Sequence, residues 1–301
     1  MIATNILYGQ GLGNQLYCYV STRCIAMDNG YDFSINNPQG ALGDPRFNSN
    51  GIYWMDLYMG VPFDSSITRV QEEKSVRLKL PHNHHDATIG CDIRASDPKL
   101  KTVEDNTIIM GLMQSEDYFG HRKNEIKEWL KVKSEHDTYE FTRDNVCIIN
   151  FRGGEYTGHD YLFLTQKYWD QAISNMKTVR SDMEFVVITD DVASAKNFFP
   201  DFQCNHFDVG KDYAIIKNAK HVILSNSTFP FFPVFTSDTI ENIIAPKYWA
   251  RHNVSDGYWG LEQNLYKDWM WQTREGELQT YAECREELDL YLEKNGLVTN
   301  D

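Results

Sequence analysis

From residue 146 onward the chain alternates short apolar runs with helix-patterned segments, and this alternation restricts the fold more than any other feature. The run Val146-Cys147-Ile148-Ile149 has the length and β-branched content of a strand covered on both faces. Helical spacing follows from about Gln166, with Trp169, Ile173 and Met176 on one face. A strand over 185–189, helices over 192–199 and 212–219, and strands over 221–225 and 243–246 complete the series. Strand and helix alternating at this spacing predict βαβ units and a parallel sheet. In such a sheet ligands bind beyond the carboxyl ends of the strands. The residues that close each apolar run are therefore the first candidates for a site.

The first half is less regular. Residues 4–8 read as a strand, Gly9-Gln10-Gly11-Leu12-Gly13 as a turn that needs permissive backbone, and 14–29 as a helix. That helix places Leu16, Val20, Cys24 and Met27 on one face and stops at Gly30. Strands are expected over 31–35 and 107–110 and a helix near 121–131. A charged, polar stretch then runs through Asp144 and divides the chain into domains 1–140 and 141–301. A terminal amphipathic helix over 277–292 is free to pack back on the first domain. Residues 36–105 show little pattern, and the cluster His82-Asn83-His84-His85-Asp86 reads as a solvated loop, because no spaced second His/Cys pair accompanies it.

Charge and cysteine usage bound the partners. A formal net charge of −14 argues against a nucleic-acid duplex or an anionic membrane as the main partner. A small anion such as a nucleotide feels the local field and stays open. Cysteines 18, 24, 91, 147, 204 and 284 form no CxxC pair, as expected for reduced core residues of a cytoplasmic protein. A strand-like segment begins within the first few residues, so neither a signal peptide nor a membrane span is expected.

Four segments carry candidate chemistry. The apolar run ends in Asn150-Phe151-Arg152-Gly153-Gly154-Glu155-Tyr156. A guanidinium at a strand end suits a phosphate, which it grips with two parallel hydrogen bonds, although a structural pair with Glu155 uses the same residues. Ser225-Asn226-Ser227-Thr228 precedes Phe229 and Pro230, where a helix start would cap itself and bind anions through free amides. Thr189-Asp190-Asp191 offers carboxylates to a guanine or a ribose, or caps the next helix. The N-terminal glycine turn suggests a dinucleotide fingerprint, with Asp32 about twenty residues on. The spacing argues against it, since the third glycine would fall at Asn14 or Leu16. The turn is then either bare or, with Asn14 and Gln15, one wall of a cleft. No DxD motif accompanies these segments, so no metal-bound diphosphate is expected.

Taken together, these segments resemble the inverting α-1,2-fucosyltransferases of glycosyltransferase family 11, which act from GDP-fucose. Gly11-Leu12-Gly13-Asn14-Gln15 is similar to the family's GLGNQ turn, and Gln114-Ser115-Glu116-Asp117-Tyr118-Phe119 to its QSEKYF segment. Asn150–Tyr156 falls where the family has HxRRGDY, Thr189-Asp190-Asp191 where it has SDD, and Asn226-Ser227-Thr228-Phe229 where it has NSSFSWW. Ala245-Pro246-Lys247-Tyr248-Trp249 is similar to a late APxxW. The chain departs from the pattern at Asn150 for the histidine, Gly153 for the second arginine, Glu155 for the aspartate, and Phe231 and Phe232 for the two tryptophans.

The resemblance implies a GT-B-like α/β architecture, two Rossmann-like domains with parallel sheets facing across a cleft. It implies donor binding by Asn150, Arg152, Gly153, Gly154, Asp190, Asp191, Asn226, Ser227, Thr228 and Phe229. The acceptor side would comprise Gly11, Gly13, Asn14, Gln15, Gln114 and Ser115. Arg152 would stabilise the leaving diphosphate, with Glu155, or Asp160 in reserve, activating the acceptor hydroxyl. The expected partners are a nucleotide sugar and a glycan acceptor, with no cofactor and no metal. The departures leave two alternatives open: another nucleotide sugar as donor, or a catalytically silent glycan- or nucleotide-binding protein.

Overall fold

The apolar runs become strands, and their order decides where a ligand can sit. The computed structural model of the protein describes residues 1–6, 10–37, 53–73, 76–77, 92–93, 96–255, 257, 259 and 264–294. Its first part lays down β1 (Ile2–Thr4), β2 (Phe33–Ile35), β3 (Arg69–Glu72), the antiparallel pair β4 (Val76–Arg77) and β5 (Asp92–Ile93), and β6 (Thr107–Met110). Among the described residues β1, β2, β3 and β6 form a parallel sheet in the order β2-β1-β6-β3. The second part contributes β7 (Val146–Phe151), β8 (Glu184–Thr189), β9 (Gln203–Asn205), β10 (His221–Leu224), β11 (Asn242–Pro246), β12 (Met270–Gln272) and β13 (Leu278–Gln279). They order as β13-β12-β11-β10-β7-β8-β9, parallel except for the β12–β13 pair at one edge. The architecture is α/β, with two parallel sheets and a cleft between the halves that carry them.

All six residues of β7 are buried, as a strand between two parallel neighbours under helices requires. The chain runs outward from β7 through β8 to β9, then returns to the other side of β7 as β10. The β7/β10 boundary is thus the topological switch point, where loops diverge to opposite faces and leave a crevice.

The first helix, Leu12–Asp28, differs from the one-faced helix expected. It starts two residues earlier, with Gly11 as N-cap, and is buried on almost every face except at Met27 and Asp28. The reason is that both halves pack on it. Tyr17 stacks on Phe231 with centroids 5.0 Å apart and meets Phe119 and Phe232, while Tyr19 meets Phe33, Tyr58 and Trp129. Each aromatic pair contributes about 0.5–1.5 kcal/mol beyond its buried area, so an aromatic core welds the halves together. Phe231 and Phe232, which stand where the family has tryptophans, belong to this core and not to the cleft.

Other expectations shift by small amounts. The first strand is Ile2–Thr4, with residues 7–9 outside the described ones. The histidines at 82, 84 and 85 and Cys91 also lie outside them. Gly30 takes a positive φ of 70° after the helix, as a helix stop requires. The terminal helix, Tyr281–Lys294, is tied to the second half: Glu287 accepts from Lys247 and, at 2.7 Å, from the Tyr248 hydroxyl. Cys18, Cys24, Cys147 and Cys284 are buried, Cys204 is half-buried, and all five are unpaired. Among the described residues no helix is long and apolar enough to cross a membrane.

Candidate functional site

Four strands of the second sheet deliver their carboxyl ends to one place. Beyond β7 stands Arg152, beyond β8 Asp190, beyond β9 His206, and beyond β10 the turn Ser225–Phe229. With Gly11, Leu12, Gly13 and Asn14 of the first half, Arg152, Asp190, His206, Ser227, Thr228 and Phe229 line a cleft of about 380 Å³, together with Asn150, Glu155, Tyr156, Val209 and Asp212.

Arg152 is anchored before any ligand arrives. Its Nη1 donates to Asp190 Oδ2 at 2.6 Å, its Nη2 to Glu155 Oε1 at 2.9 Å, and its guanidinium lies 5.3 Å from the centre of the Tyr156 ring. The structural ion pair and the exposed cation are therefore both present, since Arg152 keeps 30 % of its side chain accessible. The two glycines that follow are explained by these carboxylates. A Cβ on Gly153 would lie 2.5 Å from Asp191 Cβ, and Gly154, at φ +49°, would meet Asp190 Oδ2 at 2.7 Å. Their amides donate to Asp190 Oδ1 and Asp191 Oδ2. The backbone expected to approach a ligand instead approaches the β8 turn, and neither glycine lines the cleft.

The two aspartates are corrected in the same way. Asp191 caps the helix Val192–Phe198 through Ser194 N at 3.0 Å, and its carboxyl is held below the usual range by the Ser194 hydroxyl and amide. Asp190 lines the cleft but spends both oxygens on Arg152 and Gly153.

The carboxylate that sequence reasoning missed is Asp212. It is 4 % exposed, lines the cleft, and accepts from Phe207 N at 3.2 Å while its Oδ2 pairs with His206 Nδ1 at 2.7 Å. Burial pushes its carboxyl up, against the pull of Phe207 N–H and His206. In the sequence Asp212 reads as part of a helix, and no motif marked it. The β8–β9 pairing is what brings it to the crevice.

At the switch point the other wall is backbone. The Ser225–Phe229 turn was expected to open a helix whose dipole binds anions. The helix that follows, Phe231–Phe235, is a single turn with Pro230 at its cap and no side-chain cap. Ser227 Oγ instead accepts from Phe229 N inside the turn. Among the described residues the Ser227 and Thr228 amides have no partner, and both residues line the cleft. Unpaired amides at such a turn form an anion-binding concavity without a helix. Asn150 Oδ1 is held by Ser225 Oγ at 3.0 Å, which leaves its Nδ2 as a donor. Asn226 turns away, donating to Leu162 O, and Phe229 lines the cleft.

On the first-half wall, Gly13 comes so close to the opposite turn that a Cβ would lie 2.5 Å from Thr228 C. Asn14 lines the cleft, whereas Gln15, Gln114 and Ser115 are buried behind it. Gln15 accepts from Tyr58, Gln114 donates to Asn14, and Ser115 caps the turn at Asp117. Asp160, the reserve base, is exposed, stands outside the cleft, and accepts from Asn253 through its backbone carbonyl. Glu155 remains at the cleft with 73 % of its side chain accessible.

No curated protein matches the chain by sequence. Among solved structures it is similar to NodZ α-1,6-fucosyltransferase soaked with GDP-fucose, at 15 % identity and TM-score 0.46 over 81 % of this chain and 94 % of that one. The fucosyltransferase NodZ from Bradyrhizobium aligns at 16 % identity and TM-score 0.45, over 80 % and 94 %. POFUT1 in complex with GDP aligns at 9 % identity and TM-score 0.44, over 81 % and 97 %. The model of the family described as glycosyl transferase family 11 matches residues 95–273, which include β7 to β12 and every second-half wall of the cleft. With that match spanning more than half of its length, the chain belongs to glycosyl transferase family 11.

Proposed function

We propose that the chain is an inverting fucosyltransferase that moves fucose from GDP-fucose to a hydroxyl of a glycan, with an α-1,2 linkage as the expected product. The observation that carries this is the switch-point crevice, which Arg152 lines together with Ser227 and Thr228, whose amides have no partner among the described residues. A diphosphate fits between one guanidinium and two N–H donors, which stabilise the charge that grows as GDP leaves. Asp212 suits the base of the donor: a buried carboxylate accepts from guanine N1–H and its amino group, which uracil cannot offer in that pairing. Membership of family 11 supports the same donor class.

In this reading the diphosphate takes Arg152 from Glu155, the more exposed of its two carboxylate partners. The freed Glu155 then accepts the proton of the acceptor hydroxyl. The hydroxyl oxygen attacks the anomeric carbon from the face opposite GDP, the carbon–oxygen bond to the β-phosphate breaks, and its electron pair leaves on GDP. Asp190 keeps Arg152 in place throughout. The arginine and the amides carry the leaving-group charge without calling on a metal. The test is incubation with GDP-fucose and a β-galactoside, with the product linkage read by NMR. An α-1,2-fucosylated product is expected, and another linkage or another donor requirement would replace the fine assignment. The same ion pairs favour a second reading, a protein that binds GDP or a glycan without turnover. GDP binding with no product on any acceptor selects it.

A further inference from the structure

Asn14 is the end of a relay that crosses between the halves. Asn264, 1 % exposed, donates through Nδ2 to Gln114 Oε1 at 2.9 Å, and Gln114 Nε2 donates to Asn14 Oδ1 at 3.0 Å. With its oxygen held from behind, Asn14 has only its amide N–H to show, and among the described residues that nitrogen has no partner. Asn14 lines the cleft, and Gln114 and Asn264 do not. The backbone that aims Gln114 is strained: Met113 before it sits at φ +56°. That conformation is clamped on both sides, by Ser21 Oγ on Met113 O at 2.7 Å and by Glu73 Oε2 on Met113 N at 3.0 Å. A non-glycine residue in the left-handed region persists only where its surroundings over-determine it, and such strain concentrates at functional sites.

We infer that Gln114, backed by Asn264, is a positioning residue that fixes the Asn14 amide as a hydrogen-bond donor to the hydroxyl-bearing part of the acceptor. This rests on the transferase reading above. In that reading the nucleotide lies along Arg152, Ser227 and Asp212 of the second half, which leaves Asn14, on the first-half wall of the same cleft, to the other substrate. An oxygen acceptor is what an N–H selects, and a sugar hydroxyl or ring oxygen supplies it.

Gln114→Glu reverses one bond of the relay and keeps the other. The carboxylate still accepts from Asn264, but its second oxygen repels Asn14 Oδ1, so the Asn14 amide turns over and shows its oxygen to the cleft. Protonation of the new carboxyl, raised by burial, restores the original donor. The titratable groups facing the relay are Tyr17 and Cys18 on the first helix, Glu73 beyond β3, Glu116 and Tyr266. Burial pushes up both phenols, the thiol and the Glu116 carboxyl. All are present in both proteins, so the ratio of variant to wild type isolates position 114.

The experiment measures kcat and KM for a β-galactoside acceptor across pH, with GDP affinity measured separately by calorimetry. At alkaline pH, kcat/KM for the acceptor is expected to fall about tenfold, to recover as the pH is lowered, and to leave GDP affinity as in wild type. A pH profile parallel to wild type, or GDP affinity falling in step, overturns the inference. Should Gln114→Glu not fold, Gln114→Met keeps the length without either hydrogen bond. It is expected to lose about tenfold at every pH, and wild-type acceptor kinetics in it overturn the inference. Wild-type protein that binds GDP but fucosylates nothing overturns the transferase reading, and the positioning role falls with it.

Discussion

A methyl group at position 13 would lie 2.5 Å from Thr228 C, 2.6 Å from Thr228 O and 2.7 Å from Phe229 N. All three are backbone atoms of the turn that lines the cleft with Arg152, so no rotamer change relieves the contact. Gly13→Ala inside a helix would by itself gain up to about 1 kcal/mol. Forcing the turn back by several tenths of an ångström costs about 1–3 kcal/mol, so the clash outweighs the gain. The net loss should lower Tm by roughly 1–2 °C per kcal/mol for a chain of this length. The larger effect is expected on the ligand, because the shift displaces the Ser227–Thr228 backbone that lines the cleft. Losing one hydrogen bond to a charged group weakens GDP about tenfold or more. Thermal unfolding and GDP calorimetry on Gly13→Ala report both quantities. Gly11→Ala is the control, since Gly11 has φ −64° and open space around its would-be Cβ, and it should unfold with wild type. Indistinguishable unfolding and GDP affinity in the two variants would refute the close approach.

The remaining expectations concern base recognition, proton transfer and acid stability. Asp212→Asn should abolish a preference for GDP over inosine diphosphate, which lacks the guanine amino group; an unchanged preference in competitive titration removes Asp212 from the base site. Glu155→Gln should lower kcat by about 10²–10⁴-fold without weakening GDP, and a kcat close to wild type would take the proton-accepting role from Glu155. Burial holds His252 at about 3 in the folded protein, against 6.5 for the free side chain. Its neutral form therefore contributes stability above 6.5 that is lost as the pH falls toward 3, at about 1.4 kcal/mol per unit. Denaturant titrations of His252→Phe between pH 7.5 and 5 should show a shallower decline than wild type, and equal slopes would contradict this.

Strands in the second half were legible because a parallel sheet buried on both faces writes continuous apolar runs such as Val146–Phe151. The first helix misled because its apolar spacing suggests one buried face, whereas packing by both halves buries polar Gln15, Ser21 and Thr22 as well. At the site, Arg152 was legible from its place at a strand end. The roles of its neighbours were not, because Gly153 and Gly154 answer to Asp190 and Asp191, which lie 37 residues away in the chain. Asp212 and Asn264 were invisible for a similar reason: helix-patterned and loop sequence conceals what strand order later brings together. The Phe229–Pro230 segment predicted a helix N-terminus, but proline at the cap and a single turn of helix shifted the anion site onto the turn itself.

The central claim is that the crevice between β7 and β10 holds a guanosine diphosphate sugar through Arg152. Calorimetric titration of GDP into wild type and Arg152→Ala tests it most directly, with UDP as the comparison ligand. GDP should bind wild type, UDP should bind far more weakly, and the variant should lose about tenfold to a hundredfold in GDP affinity. Absence of GDP binding, or equal GDP affinity in wild type and Arg152→Ala, would contradict the account.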